Sequence, residues 1–151
     1  MSRTETVSPA GVAAFAAAVD DFMRATRRAR GRLAREGDIS VSQYHLLEPL
    51  TTASDPLGVG ELAAAAGVSP PTATRMLVGL ERDGLVERRT CTADRRIVRV
   101  RLTEEGRARV EDRHERMQQR RRELYESLTP REREQAARLL ERLAAAIEDM
   151  R

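Results

Sequence analysis

Residues 69–86, SPPTATRMLVGLERDGLV, decide how this chain is read. Ser69 suits the N-cap of a helix, and Pro70 its first position, where a missing N–H costs nothing. Met76, Leu77 and Leu80 recur at helical spacing and can face a core. Ser69, Pro71, Thr72, Thr74 and Arg75 are left around the N-terminal end. Short polar side chains beside one arginine suit an element that slides into a DNA groove. Gly84 ends the helix and Leu85 opens a strand.

Upstream, the spacing predicts a short helix opening at Gly58 or Val59, with Glu61 in its first turn and Leu62, Ala63 and Ala66 inward. Gly67-Val68-Ser69 is then a tight turn, and helix, short turn, helix is the helix-turn-helix pattern. Downstream, Leu85 to Thr90 reads as one strand. Val98, Val100 and Leu102 alternate with Arg99 and Arg101 as a half-buried second strand. Between them Cys91-Thr92-Ala93-Asp94-Arg95-Arg96 forms a polar tip. A helix-turn-helix followed by a basic hairpin is a winged helix, whose wing can reach a minor groove where Arg is favoured.

The flanks read as helices. Residues 1–7 have no periodic pattern and form a tail. Ser8-Pro9 starts a long helix with Val12, Phe15, Val19, Phe22, Thr26, Ala29 and Leu33 on one stripe, weakened at Gly31 and capped at Gly37. Ser40 to Gln43 is a capping box for a helix running to about Thr52, with Tyr44, Leu47 and Leu50 inward. Ala53 to Gly58 is expected as a loop. Thr103 caps a helix to about Ser127, whose stripe of Val110, His114, Met117, Arg121, Leu124 and Leu128 is mixed and so only partly buried. Thr129-Pro130-Arg131-Glu132 is a capping box with proline at the first position. It opens a last helix with Ala136, Leu139, Leu140, Leu143, Ala144, Ile147 and Met150 on one face. The fold class is therefore mostly α with a small β-hairpin wing, a winged helix-turn-helix between flanking helices. The expected units are 1–36, an N-terminal dimerisation helix and tail; 40–102, the DNA-binding domain; and 103–151, the C-terminal dimerisation helices.

Composition bounds the rest. The 151 residues suit one domain with helical extensions, and aromatics at 3% leave the packing to Leu, Val, Ala and Met. No apolar run approaches the ~18 residues of a membrane span, and no secretory pattern opens the chain. One cysteine cannot make an internal disulfide, so a cytoplasmic protein is expected. The net charge is +3, but residues 85–101 carry six Arg against two acids, the footprint of a local polyanion contact. Residues 41–84 are net acidic, which fits DNA binding only if Glu81 and Asp83 point away from it. All 27 basic residues are Arg, as the base composition of a GC-rich genome would give.

The chain resembles the MarR family of transcriptional regulators. The residues that carry the resemblance are GVGELAAAAGVSPPTATRMLVGLERDGLVERR (58–89), Asp94-Arg95-Arg96, and Val100-Arg101-Leu102-Thr103-Glu104-Glu105-Gly106. It implies a homodimer built from the first and last two helices, with Val12, Phe15, Val19, Leu139, Leu140, Leu143 and Ile147 at the interface. Each subunit would place its recognition helix in a major groove of double-stranded DNA and its wing in the adjoining minor groove. Arg96 would be the minor-groove arginine, and Asp94 would hold Arg75 or Arg96 in position. The resemblance further implies a repressor released from a near-palindromic operator by a small molecule, often an anionic aromatic one. The chain departs from the family at the wing tip, where Thr90-Cys91-Thr92-Ala93 replaces the common Asp-Pro.

The DNA-binding candidates are thus Ser69, Pro71, Thr72, Thr74, Arg75, Arg88, Arg89, Asp94, Arg95, Arg96 and Arg99, with Arg88, Arg89 and Arg99 contacting phosphate or stiffening the wing. Phe22, Tyr44 and His45, with Arg27 or Arg30 as an anion partner, are candidates for an effector pocket on the first two helices; core packing accounts for Phe22 and Tyr44 equally well. Cys91, beside arginines, is a candidate redox switch. His45, His114 and Cys91 have no metal-motif spacing, and no catalytic constellation or phosphate-binding loop stands out, so no metal, cofactor or enzymatic activity is expected. The alternatives to a ligand-released repressor are a redox-sensing regulator acting through Cys91 and a protein-interaction module that retains the fold.

Overall fold

The computed structural model describes residues 8–33, 38–90 and 97–149, with side chains at all of these but 30–33. The tail 1–7, Gly37, the hairpin tip 91–96 and Met150 lie outside the described residues. The chain is helical apart from a three-stranded antiparallel sheet. In order it forms α1 (Pro9–Leu33), α2 (Val41–Leu47), α3 (Pro49–Thr52), β1 (Leu57–Gly58), α4 (Val59–Ala66), α5 (Pro70–Arg82), β2 (Val86–Thr90), β3 (Val98–Leu102), α6 (Glu104–Glu126) and α7 (Pro130–Asp149).

Three expectations are corrected. The helix expected to run from Ser40 to about Thr52 is two pieces, because Pro49 has no N–H to give to Tyr44 or His45 and restarts the helix as its own first residue. The expected loop 53–58 ends in a strand: β1 pairs with β3, Leu57 opposite Val100, giving the sheet the order β1-β3-β2. The first hairpin strand also begins one residue late, at Val86. There Leu85 is still closing α5, its N–H donating to Leu80 O. Gly84, at φ +75, is the left-handed residue that allows this turn.

The core sits where these pieces meet. Leu46 and Leu47 of α2, Leu62 of α4, Leu77 and Leu80 of α5, Val100 of β3 and Val110 of α6 are fully buried. The sequence dictates this local structure through caps. Ser40 and Gln43 exchange both bonds of a capping box, Glu61 reaches back to the Gly58 N–H at 2.7 Å, and Thr103 Oγ1 accepts from Gly106 N at 3.0 Å. Three polar ties bind α6 to the unit around α5. Arg107 donates to Thr51 O at 2.9 Å, Arg116 meets Asp38 at 2.8 Å, and His114 meets the Tyr44 phenol at 2.7 Å.

The flanking helices pack differently. In α1, every described side chain is exposed except the half-buried Thr26 and Ala29. In α7 none is buried, although Leu139, Leu140, Leu143 and Ile147 form a stripe along it. Among the described residues, no helix is long and apolar enough to cross a membrane.

Candidate nucleic-acid interface

The face of α5 opposite the core carries the exposed residues. Ala73, Leu77 and Leu80 are buried, so Pro71, Thr74, Arg75, Val78 and Arg82, half a helical turn away, project from the molecule. Ser69 caps the helix by accepting from Thr72 N at 3.4 Å, and the two hydroxyls lie 2.9 Å apart. Thr74 donates its hydroxyl proton back to Pro70 O at 2.9 Å, which fixes the side chain. Arg75 rests at 3.5 Å from the Thr72 hydroxyl and makes no ion pair among the described residues. The N-terminal end of α5 therefore presents a capped, polar, singly basic surface, with the positive end of the helix dipole behind it.

The acids that could oppose a polyanion are engaged. Glu81 accepts from the Arg88 backbone N–H at 3.3 Å and from its guanidinium at 3.2 Å. Asp83 meets Arg82 at 3.3 Å. Register explains the first pair. Arg88 lies opposite the buried Val100 and so shares its inner face, toward α5. Arg89 and Arg99 face each other on the outer side. Arg99 is held by Glu61 at 3.4 Å, while Arg89, with 71% of its side chain exposed, touches Glu87 only at 3.5 Å. Glu87 belongs mainly to Arg101, whose two nitrogens bind it at 2.9 and 2.6 Å and hold its carboxyl below the usual carboxylate range. Of the hairpin arginines described, Arg89 is the most available to a phosphate. Asp94, Arg95, Arg96 and Cys91 lie outside the described residues.

A second feature spans the joint between α2–α3 and α6. Tyr44, Glu48, Pro49, Thr51, Thr52, Arg107 and His114 are among the residues lining a cleft of about 590 Å³. The buried Tyr44 phenol donates to Glu48 Oε1 at 2.8 Å, and burial, then that carboxylate, push its pKa up to about 12. With the phenol proton given to Glu48, the contact to His114 Nδ1 requires an Nδ1–H donor, and Nε2 accepts from Gln118 at 3.3 Å. His45 stands edge-on to Tyr44, with ring centroids 5.3 Å apart.

Of the residues expected to form an effector pocket, Tyr44 lines the cleft, and His45 packs against Tyr44 without lining it. Phe22, 60% exposed on α1, and the exposed Arg27 do not line the cleft, so core packing does not account for Phe22 in this chain. The side chain of Arg30 lies outside the description. Sequence reasoning missed Glu48, Arg107 and His114 as cleft residues. It also missed Arg113, 5% exposed, whose place on the α6 stripe, three residues after Val110 and four before Met117, was the available signal.

Comparison with known proteins places these features. The sequence model of the MarR family matches residues 39–98. The HTH-type transcriptional repressor YetL of Bacillus subtilis (strain 168) is 42% identical over 74 residues, which are 48% of this chain and 44% of that protein, so the chain spans less than half the length of this relative. Among solved structures, Streptococcus pneumoniae FabT in complex with DNA superposes at a TM-score of 0.70 with 21% identity, over 93% of this chain and 97% of the other. The S. aureus MepR–DNA complex superposes at 0.73 with 23% identity, over 88% and 97%. Identities this low carry the fold alone, and that fold is a winged helix with helical flanks.

Proposed function

We propose that this chain, whose residues 39–98 match the sequence model of the MarR family, is a homodimeric, sequence-specific DNA-binding transcription regulator of that family acting in the cytoplasm. One observation carries this reading: the surface of α5 that points away from the core is a capped, acid-free face of Pro71, Thr74 and Arg75, and the hairpin that follows it presents an outward, exposed Arg89. Such a face suits the major groove, where Arg reads guanine O6 and N7 and small side chains approach the backbone. Ser69, Thr72, Thr74 and Arg75 then contact bases or phosphates, Arg89, Arg95 and Arg96 serve the wing, and Arg88, Asp94 and Arg99 position it. YetL is a repressor, and repression is the sign of regulation proposed here as well.

Release by a small molecule is the second part of the proposal. The Tyr44–His114 cleft lies at the joint of the reading unit and α6, is of the size of ordinary ligand sites, and offers Arg107 to an anion. A ligand bound there shifts the operator equilibrium only if it prefers a dimer whose two heads mismatch the operator. The test is selection of bound fragments from the source genome by the purified protein at near-physiological salt, repeated with Arg75→Ala. Enrichment of one near-palindrome, lost in the variant, is expected. A folded dimer that enriches no site would overturn the reading and leave the interaction module in its place.

A further inference from the structure

Val78 is the one large apolar side chain on the outward face of α5, and it is 50% exposed. Its position matters more than its exposure, since single exposed aliphatics are ordinary. It follows Thr74 by four residues, Arg75 by three and Pro71 by seven, so all four share one helical face. Ala73, Leu77 and Leu80 occupy the opposite face and seat it in the core, which leaves Val78 no neighbour to pack on within its own helix's buried side. It lies about 4.5 Å along the axis from Arg75 toward the C-terminus, a little more than one base-pair step of 3.4 Å. We infer that Val78 is a specificity-determining residue that packs its γ-methyl groups against the C5-methyl of an operator thymine, one or two steps from the base read by Arg75. The inference rests on the DNA-binding reading above and names what one position of that interface recognises.

The chemistry supports thymine over the other bases. In the major groove only thymine presents an apolar group, and valine has neither donor nor acceptor to offer guanine, cytosine or adenine. A polar edge facing Val78 would lose its water with nothing in return. The neighbouring Gly79 has open space where a Cβ would be, so this stretch of helix can approach the groove wall closely.

The test uses the purified 151-residue chain and the site it enriches from a random-sequence duplex library. That site is resynthesised with uracil in place of each thymine in turn, which deletes only the methyl group. Wild type is expected to lose about fourfold in affinity per half-site at one position, the worth of one buried methyl. Val78→Ala is expected to bind the thymine duplex about fourfold more weakly and to bind both duplexes alike. Because the site is exposed and alanine favours helix, the variant's thermal melt should match wild type. Equal binding of thymine and uracil duplexes by wild type at every position overturns this inference alone. A library that yields no enriched site overturns it together with the DNA-binding reading.

Discussion

Tyr44 holds its hydroxyl between the Glu48 carboxylate at 2.8 Å and the His114 imidazole at 2.7 Å, with the core on its other sides. Ionising it would place a second negative charge beside Glu48 in a buried setting, which is why its pKa rises to about 12. The unfolded chain titrates near 10. A group whose pKa is higher folded than unfolded adds stability that is complete below the unfolded value and lost as pH rises through the folded one. Thermal melts should therefore show a loss between pH 10 and 12 that is reduced in Tyr44→Phe. At neutral pH the same variant should cost about 1 kcal/mol, since Glu48 and His114 can turn to water. A pH profile of Tyr44→Phe that parallels wild type throughout would discard this account. The same scale shows where sequence stops informing. Arg88 and Arg89 read alike as wing arginines, yet the first is an inner-face tether to Glu81 and the second points outward. The difference is strand register, set by Arg88 facing Val100, and no spacing rule carries it.

At the scale of elements, the joint between α6 and the hairpin depends on a missing side chain. Thr103 N donates to Leu85 O, Thr103 Oγ1 to Gly84 O at 2.7 Å, and Gly106 then brings the first turn of α6 against Leu85. A Cβ on Gly106 would lie 1.8 Å from Leu85 O, a backbone atom that cannot swing aside. Gly106→Ala should destabilise by about 2–3 kcal/mol, as overpacked sites do. Gly79, also within a helix, has open space around it, and Gly79→Ala should stabilise by roughly 0.5–1 kcal/mol. Denaturant midpoints moving in opposite directions would bear this out, and parallel shifts would refute it. Both glycines are helix interruptions on paper. Caps and periodicity made α4, α5, α6 and α7 readable to within a residue or two, because those signals are local. The break at Pro49 was written in the sequence too, as a proline inside a helical pattern, but Leu47 and Leu50 kept the helical period across it. The two-residue β1 has no pattern of its own. It exists because the edge of β3 pairs with whatever backbone runs past it.

At the scale of the molecule, the exposed stripes demand a partner. Val12, Phe15, Val19 and Phe22 on α1, and Leu139, Leu140, Leu143 and Ile147 on α7, are 39–62% exposed, two apolar stripes at helical spacing and not scattered surface residues. Full burial of an exposed side chain of this kind is worth about 1.5–3 kcal/mol, so covering the exposed half of each of these is worth roughly half that, and the eight together come to the scale of a domain's whole stability. In the dimer we propose, a second, two-fold-related copy would cover both stripes with the same residues and close the assembly. The two α5 helices can then stand about one helical turn of DNA apart, 34–36 Å, and bind two half-sites as one unit. Leu140→Glu combined with Leu143→Glu should leave the core around Leu62, Leu77 and Val100 intact, since α7 contributes nothing to it. Sedimentation should show a monomer with a wild-type helical spectrum at the same concentration where wild type is a dimer. Its affinity for the palindrome should fall to that of one half-site, a loss on the order of 10²-fold or more, because the second contact is no longer intramolecular. A variant that stays dimeric would put the interface elsewhere. A monomer that binds the palindrome undiminished would mean that the two reading heads act independently, and a cleft at the α2–α6 joint could then release DNA only one head at a time.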